Sequence, residues 1–234
     1  MEISQGIEII GKTLWIPKER ILILNDLHIG YEEALYRKGI LVPKFQLKII
    51  LDELKRIFEI VQPLKVIING DLKHEFGSIL NQEWIEVLAL LDYLLTVVKE
   101  VVIIKGNHDP IIKPIADKKG VKVVDSFMVG DVMIVHGDKL VKTNALRIII
   151  GHEHPAISLS KSGKVEKYKC FLKGKWRGKE LIAVPSFNPL LEGMDVLKEK
   201  LLSPYFEDIK KFEVYVVGET GEAFYFGKVG DLKE

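Results

Sequence analysis

The six histidines are the residues of this chain best suited to chemistry, and all of them fall in or beside five short polar runs. These are Asn25-Asp26-Leu27-His28, Asn69-Gly70-Asp71 with His74 three positions on, Gly106-Asn107-His108-Asp109, His136-Gly137-Asp138, and Gly151-His152-Glu153-His154. Imidazole nitrogens and carboxylate or amide oxygens, with no thiolate among them, suit Mn, Fe, Zn, Ni or Co. Asp26, His28, Asp71, Asn107, His136, His152 and His154 are too many donors for one tetrahedral ion. They fit two ions with a shared carboxylate, and Asp71, central among the runs, is the natural bridge because a carboxylate has two oxygens. Two such ions, about 3.5–4 Å apart, clamp the attacking and departing oxygens of a hydrolysis and lower the pKa of bound water.

Something must bring these runs together. Each follows a short apolar stretch that reads as a strand: Arg20 to Leu24, Lys65 to Ile68, Val101 to Lys105, Val132 to Val135 and Arg147 to Ile150. In open α/β sheets, ligands bind beyond the carboxyl ends of strands, so five such ends can converge on one polar site. Between them, helical spacing predicts a helix opened by Pro43, carried by Phe45, Ile50, Leu54, Ile57 and Val61, and ended by Pro63. Further helices are predicted over Gln82 to Val98 and Ile111 to Lys119. Short strands over Ile7 to Ile10 and Thr13 to Ile16 precede the first run, and Val121 to Val124 and Phe127 to Val129 precede the fourth. Beyond residue 156 the pattern turns to strands: Ala156 to Ser160, Lys164 to Leu172, Leu181 to Val184, Phe212 to Val217 and Ala223 to Lys228, with a short helix expected over Val196 to Leu201. The fold class is α/β with a mostly antiparallel C-terminal part.

Composition narrows the function classes. The chain has 234 residues, 47% hydrophobic and 29% charged, with a net charge of +1. That balance is globular and excludes a strong overall attraction to nucleic acid or an anionic membrane, a local basic patch aside. The lone cysteine, Cys170, allows neither an intrachain disulfide nor a cysteine zinc site, and reads as a small core residue. The start, MEISQGIEII, lacks the features of a signal peptide. Trp84 to Val98, interrupted by Glu86 and Asp92, is too short and too charged to span a bilayer. No linker or repeat breaks the chain, so a single domain over residues 1–234 and a cytoplasmic location are expected. There is no Gly-x-Ser-x-Gly elbow and no Walker-type phosphate loop.

Taken in order, Asp26-Leu27-His28, Gly70-Asp71, Gly106-Asn107-His108, His136 and Gly151-His152-Glu153-His154 resemble the motifs of the calcineurin-like metallophosphoesterase superfamily. A narrower resemblance, to the SbcD-related, DNA-ligase-associated phosphoesterases, rests on Asp26 to Gly30, Gly39 to Pro43, His154-Pro155, Cys170 to Leu172 and Val184 to Asn188. The superfamily resemblance implies a four-layer α/β/β/α sandwich with two mixed sheets. It implies one metal held by Asp26, His28, Asp71 and His154 and a second held by Asp71, Asn107, His136 and His152. Two divalent ions are implied, with Mn preferred and Zn, Fe, Ni or Co open. His108 would face the phosphate and protonate the leaving oxygen or stabilise the transition state, and Asp109 would orient its imidazole. The implied activity is phosphodiester hydrolysis by metal-bound hydroxide. A phosphomonoesterase or nucleotide phosphatase on the same site, or a metal-binding interaction module without catalysis, are the alternatives. The partner is a phosphoester substrate; nucleic acid is left open but unsupported by net charge, no membrane is expected, and a homodimer is left open.

The remaining candidates have plainer readings beside the functional ones. His74 could stand behind a ligand, touch substrate or cap the following helix. Arg37, Lys38, Lys139 and Lys142 read first as solvated charges and second as phosphate contacts. Ser186 and Asn188 read as a loop near the site. Phe212, Tyr215, Phe224, Tyr225 and Phe226 read as sheet core rather than a base-stacking platform.

Overall fold

The computed structural model describes residues 1–161 and 164–232. The first sheet has seven strands in chain order: β1 (Glu2–Ser4), β2 (Ile7–Ile10), β3 (Thr13–Ile16), β4 (Ile21–Asn25), β5 (Lys65–Asn69), β6 (Glu100–Ile104) and β7 (Lys122–Val124). β1 to β4 pair antiparallel, and β4 to β7 pair parallel. Between the parallel strands come α1 (Tyr31–Arg37), α2 (Gln46–Ile60), α3 (Asn81–Val97) and α4 (Lys113–Lys118). The second sheet holds β8 (Ser126–Val129), β9 (Val132–Val135), β10 (Arg147–Ile150), β11 (Pro155–Lys161), β12 (Lys164–Trp176), β13 (Lys179–Ala183), β14 (Met194–Asp195), β15 (Glu213–Val217) and β16 (Ala223–Lys228). Its order is β14-β11-β12-β13-β10-β9-β8, with β15 on β12 and β16 on β15. β10 lies parallel to β9 and to β13, so both sheets are mixed.

The central strands β3 to β6 are buried on both faces, which is why they read as largely apolar runs. Leu22, Leu24, Val66, Ile68, Val101 and Ile103 face the helices and meet Ile50, Leu54 and Ile57 of α2 and Val87, Leu90 and Leu94 of α3. Ile23, Ile67, Val102 and Ile104 face the other way and pack on Ile134, Ile149, Phe171 and Ile182 of the second sheet. The expected sandwich is therefore present. Its fourth layer is built from irregular segments carrying Val196, Tyr205 and Phe212, and from the 3-10 turn Val229–Leu232, rather than from α-helices.

Four expectations need correction. α2 starts at Gln46, not at Pro43; its first amides are met by Glu32 Oε2, which accepts from Phe45 N at 3.0 Å and Gln46 N at 3.2 Å. α1 and β1 escaped the sequence reading because each is too short to show a period. Val196 to Leu201 is no helix: Asp195 Oδ1 accepts from Leu197 N at 3.0 Å to make a single turn, and Pro204 then disfavours helical geometry before it. Of the five aromatics assigned to the core, Phe212 and Tyr215 are buried, but Phe224, Tyr225 and Phe226 are exposed. Three consecutive side chains on a strand cannot share a face, and among the described residues β16 pairs with β15 alone, at the edge of the sheet.

Candidate metal centre

Register places the polar runs. Asn25 of β4 lies beside Asn69 of β5, and Asn69 beside Ile104 of β6, so the three carboxyl ends finish level. The first two runs are laced by backbone bonds, His28 N to Asp71 O at 2.8 Å and Ile29 N to Leu72 O at 2.9 Å. In the second sheet the parallel pair β9 and β10 delivers His136 and the run from Gly151 to His154 to the same place, and His152 N donates to Asp26 Oδ2 at 3.1 Å. Seven non-glycine residues among those described have positive φ, and five of them are Asp26, His28, Asp71, His152 and His154. Left-handed backbone is costly for such side chains, and its concentration here marks a functional constraint. Two glycines make room: a Cβ on Gly70 would strike the His136 ring, and one on Gly106 the Asp71 carboxylate.

The side chains form two groups that meet at one atom. Asp26, His28 and His154 make the first group, and Asp71, His136 and His152 the second; His28 also lies within such reach of His74 and His108, a third set of three donors. In the first, His28 Nε2 stands 3.3 Å from His154 Nε2, and His154 Nε2 3.6 Å from Asp26 Oδ1. In the second, His136 Nε2 stands 3.2 Å from His152 Nδ1 and 2.9 Å from Asn107 Oδ1. Asp71 Oδ2 lies 3.6 Å from His28 Nε2 and 3.5 Å from His136 Nε2. All seven residues expected as ligands are thus gathered. The sequence argument for a bridge rested on two carboxylate oxygens, whereas the geometry puts Oδ2 alone between the groups and gives Oδ1 to the His108 amide at 2.9 Å.

Burial controls the electrostatics. It pushes Asp26 well above the usual carboxylate range, and it carries Asp71 up to about 9 with help from Asp26. It lowers His28, with help from His154, and His136, with help from His152; His152 falls too, and His154 drops to about 4. The imidazoles are therefore neutral, the form that ligates metal. Asp26 Oδ1 and His136 Nδ1 are buried without a hydrogen-bond partner. Buried carboxylates packed together, orphaned atoms and free imidazole lone pairs all suit divalent cations, which reverse the pKa logic of such a cluster. The residues fit two ions.

His108 stands beside this cluster. Its Nδ1 donates to His74 O at 2.5 Å, which leaves Nε2 for other partners. Asp109 does not touch that imidazole, contrary to expectation. Its buried carboxylate accepts from Leu72 N at 3.0 Å, Lys73 N at 3.2 Å and Gly106 N at 3.3 Å, tying the second run to the third. The orienting group at His108 is the His74 carbonyl instead. The His74 ring reaches back to His28, Nδ1 to Nδ1 at 3.4 Å. His74 lies before α3 rather than at its cap.

Supporting residues that the sequence reading missed act through backbone atoms. Gln46 Nε2 donates to Leu27 O at 3.2 Å and His28 O at 2.7 Å, while its Oε1 accepts from Gly30 N at 3.2 Å. Glu83 Oε1 accepts from His74 N at 3.0 Å and Glu75 N at 2.6 Å. The signal available was a polar residue on the buried face of each amphipathic helix. Ser186 and Asn188 lie under the site, not in it: Ser186 Oγ donates to Asp26 O at 2.7 Å, and the fully buried Asn188 donates to His28 O at 3.4 Å. That loop is gripped by Lys169, whose Nζ donates to Ser186 O at 2.8 Å and to Asn188 O, and by Lys12, which reaches Phe187 O at 3.3 Å. Glu153 turns away from the cluster and accepts from Leu202 N at 2.8 Å and from Ser203 N. Arg37 pairs with Glu33 at 3.6 Å, and Lys38, Lys139 and Lys142 are exposed, as solvated charges.

No curated protein sequence matches the chain. Among solved structures it is similar to the Pseudomonas putida nuclease MPE, at 19% identity over 92% of each chain with a TM-score of 0.67. It is also similar to YfcE, a phosphoesterase from E. coli, at 12% identity over 89% of this chain and 98% of that one with a TM-score of 0.44. The sequence profile of the calcineurin-like phosphoesterases matches residues 19–220. The chain belongs to the calcineurin-like phosphoesterase family.

Proposed function

We propose that this chain is a single-domain, dinuclear, metal-dependent phosphoesterase that prefers phosphodiesters. The observation that carries the reading is the meeting of two donor groups at Asp71 Oδ2. Asp26, His28, Asp71 and His154 hold one ion, and Asp71, Asn107, His136 and His152 the other. Their nitrogen and oxygen donors accommodate manganese, with Zn, Fe, Ni or Co as substitutes. When bound, the ions supply Lewis acidity toward the phosphoryl oxygens and a water acidic enough to attack near neutral pH.

The chain's own residues do the rest. With Nε2 of His28 as the ligating atom, the proton sits on Nδ1, which faces His74 Nδ1 at 3.4 Å. The His108 ring is held through Nδ1, and Nε2 gives a proton to the departing ester oxygen or stabilises its charge. Preference for the singly charged diester is supported by the arginines. A fork-shaped arginine is a common way to meet the extra charge of a dianionic monoester. Arg20 binds Gln62 O, Arg37 Glu33, Arg147 Asp131 and Arg177 Glu207, while Arg56 lies exposed on α2. The test is a paired assay of the manganese-loaded protein on bis(p-nitrophenyl) phosphate and p-nitrophenyl phosphate. A higher kcat/KM for the diester is expected; a preference for the monoester would overturn the diesterase reading and leave the phosphoesterase one.

A further inference from the structure

The side of the centre that carries His108 is a continuous wall of rings. Tyr31 meets His74 edge-on with centroids 4.8 Å apart. His74 stacks on His108 at 5.5 Å and 24°. His108 in turn meets Phe76 at 5.5 Å and 85°. The inner rings are fixed, since His74 N donates to Ile29 O at 3.0 Å and to Glu83, and His108 is tied to the His74 carbonyl. Phe76 ends the wall and differs from the others: it is 62% exposed, in a turn that contributes nothing to the apolar core.

A single exposed phenylalanine is ordinary on a surface. The position of this one is not, because among the described residues its one ring contact is with the residue proposed to protonate the leaving oxygen. With His108 as the proton donor, the group attached to that oxygen would leave beside His108, and Phe76 is the exposed ring next to it. A planar aromatic group can lie against that ring and gain stacking, which a saturated group of the same bulk cannot match. With a net charge of +1, the field of the whole chain contributes little to recognition, which leaves selectivity to local contacts such as this one.

We propose that Phe76 is a specificity-determining residue, the platform for a planar aromatic ester group on the substrate. The proposal rests on the reading of the centre given above, with the phosphoryl group between the ions and His108. It makes the substrate class a phosphoester whose ester group carries a flat ring, as aryl and nucleoside esters do.

Three non-hydrolysable probes test it by calorimetry on the manganese-loaded protein: methyl-, cyclohexyl- and phenylphosphonate. All three present the same charged head to the ions, and only the last carries a flat ring. The wild type is expected to bind phenylphosphonate about ten-fold more tightly than cyclohexylphosphonate, in keeping with the strength of ring stacking. Phe76→Ala and Phe76→Leu should abolish that preference while leaving methylphosphonate affinity unchanged, and Phe76→Trp should keep it. Since the side chain is exposed, none of these changes endangers the fold. Equal affinity of the wild type for phenyl- and cyclohexylphosphonate, or a preference that survives in Phe76→Ala, overturns the proposal alone. Failure of the loaded protein to bind any of the three overturns the reading of the centre and the proposal with it.

Discussion

The backbone N–H of His108 donates to Asp71 Oδ1 at 2.9 Å, so the proposed proton donor and the proposed bridging carboxylate hang from one another. The bond fixes the Asp71 plane and turns Oδ2 toward His28 and His136. It also sets where the His108 side chain begins. In the proposed mechanism metal binding and proton transfer share this joint, and substitutions on either side of it should separate the two roles.

Replacing Asp71 with Ala removes the atom common to both donor groups. Both ions should be lost, and with them activity. Metal content measured by mass spectrometry after gel filtration checks this, and two ions retained per chain would refute the bridge.

Replacing His108 with Ala keeps the amide that binds Asp71, because that bond is made by the backbone. Turnover should fall by about 10²–10⁴, the usual range for losing a positioned acid or base. Metal content should stay at the wild-type level, since the imidazole is not among the proposed ligands. Wild-type turnover in this variant would remove His108 from the mechanism.

Asp109 should reveal itself as a structural residue. Its carboxylate satisfies three backbone amides, and Asp109→Ala leaves those N–H groups buried and unpaired. A loss of about 2–5 kcal/mol is expected from urea denaturation, with a smaller loss for Asp109→Asn, which keeps an acceptor. Unchanged stability in Asp109→Ala would contradict the contacts.

Lys169, within electrostatic reach of Asp26 and His154, offers a pH-dependent test. Burial, with the Lys12 ammonium nearby, lowers it to about 7, whereas an unfolded lysine titrates near about 10.4. Between those two values the unfolded chain binds more protons, so the Lys169 contribution makes stability rise with pH, on the order of 1 kcal/mol per unit. Lys169→Met lacks this contribution. The stability gap between wild type and variant should therefore widen in favour of the wild type from pH 7 to pH 9, as read by urea unfolding. Parallel pH dependences would show that Lys169 titrates normally.

The clustering of the seven candidate ligands was legible in the sequence because metal chemistry demands particular atoms, and few side chains carry them. The strands before them were legible because a buried parallel strand must be apolar throughout. Lys169, Gln46, Glu83 and Glu32 were not, because each works on backbone carbonyls or amides, and any long polar side chain in the right place can do so. Asp109 was misassigned for a related reason: adjacency to His108 in the chain says nothing about which amides a carboxylate will find across a turn. The aromatics of β16 were misplaced because burial at a sheet edge depends on what lies beyond the edge, which no local pattern records.

The central claim is that hydrolysis depends on two metal ions held at Asp71. Its most direct measurement is the rate of bis(p-nitrophenyl) phosphate hydrolysis by protein stripped with chelator and then titrated with Mn²⁺. The account predicts no activity in the stripped protein and a rise that saturates at two ions per chain. Activity that persists without metal, or saturation at a single ion, would contradict it.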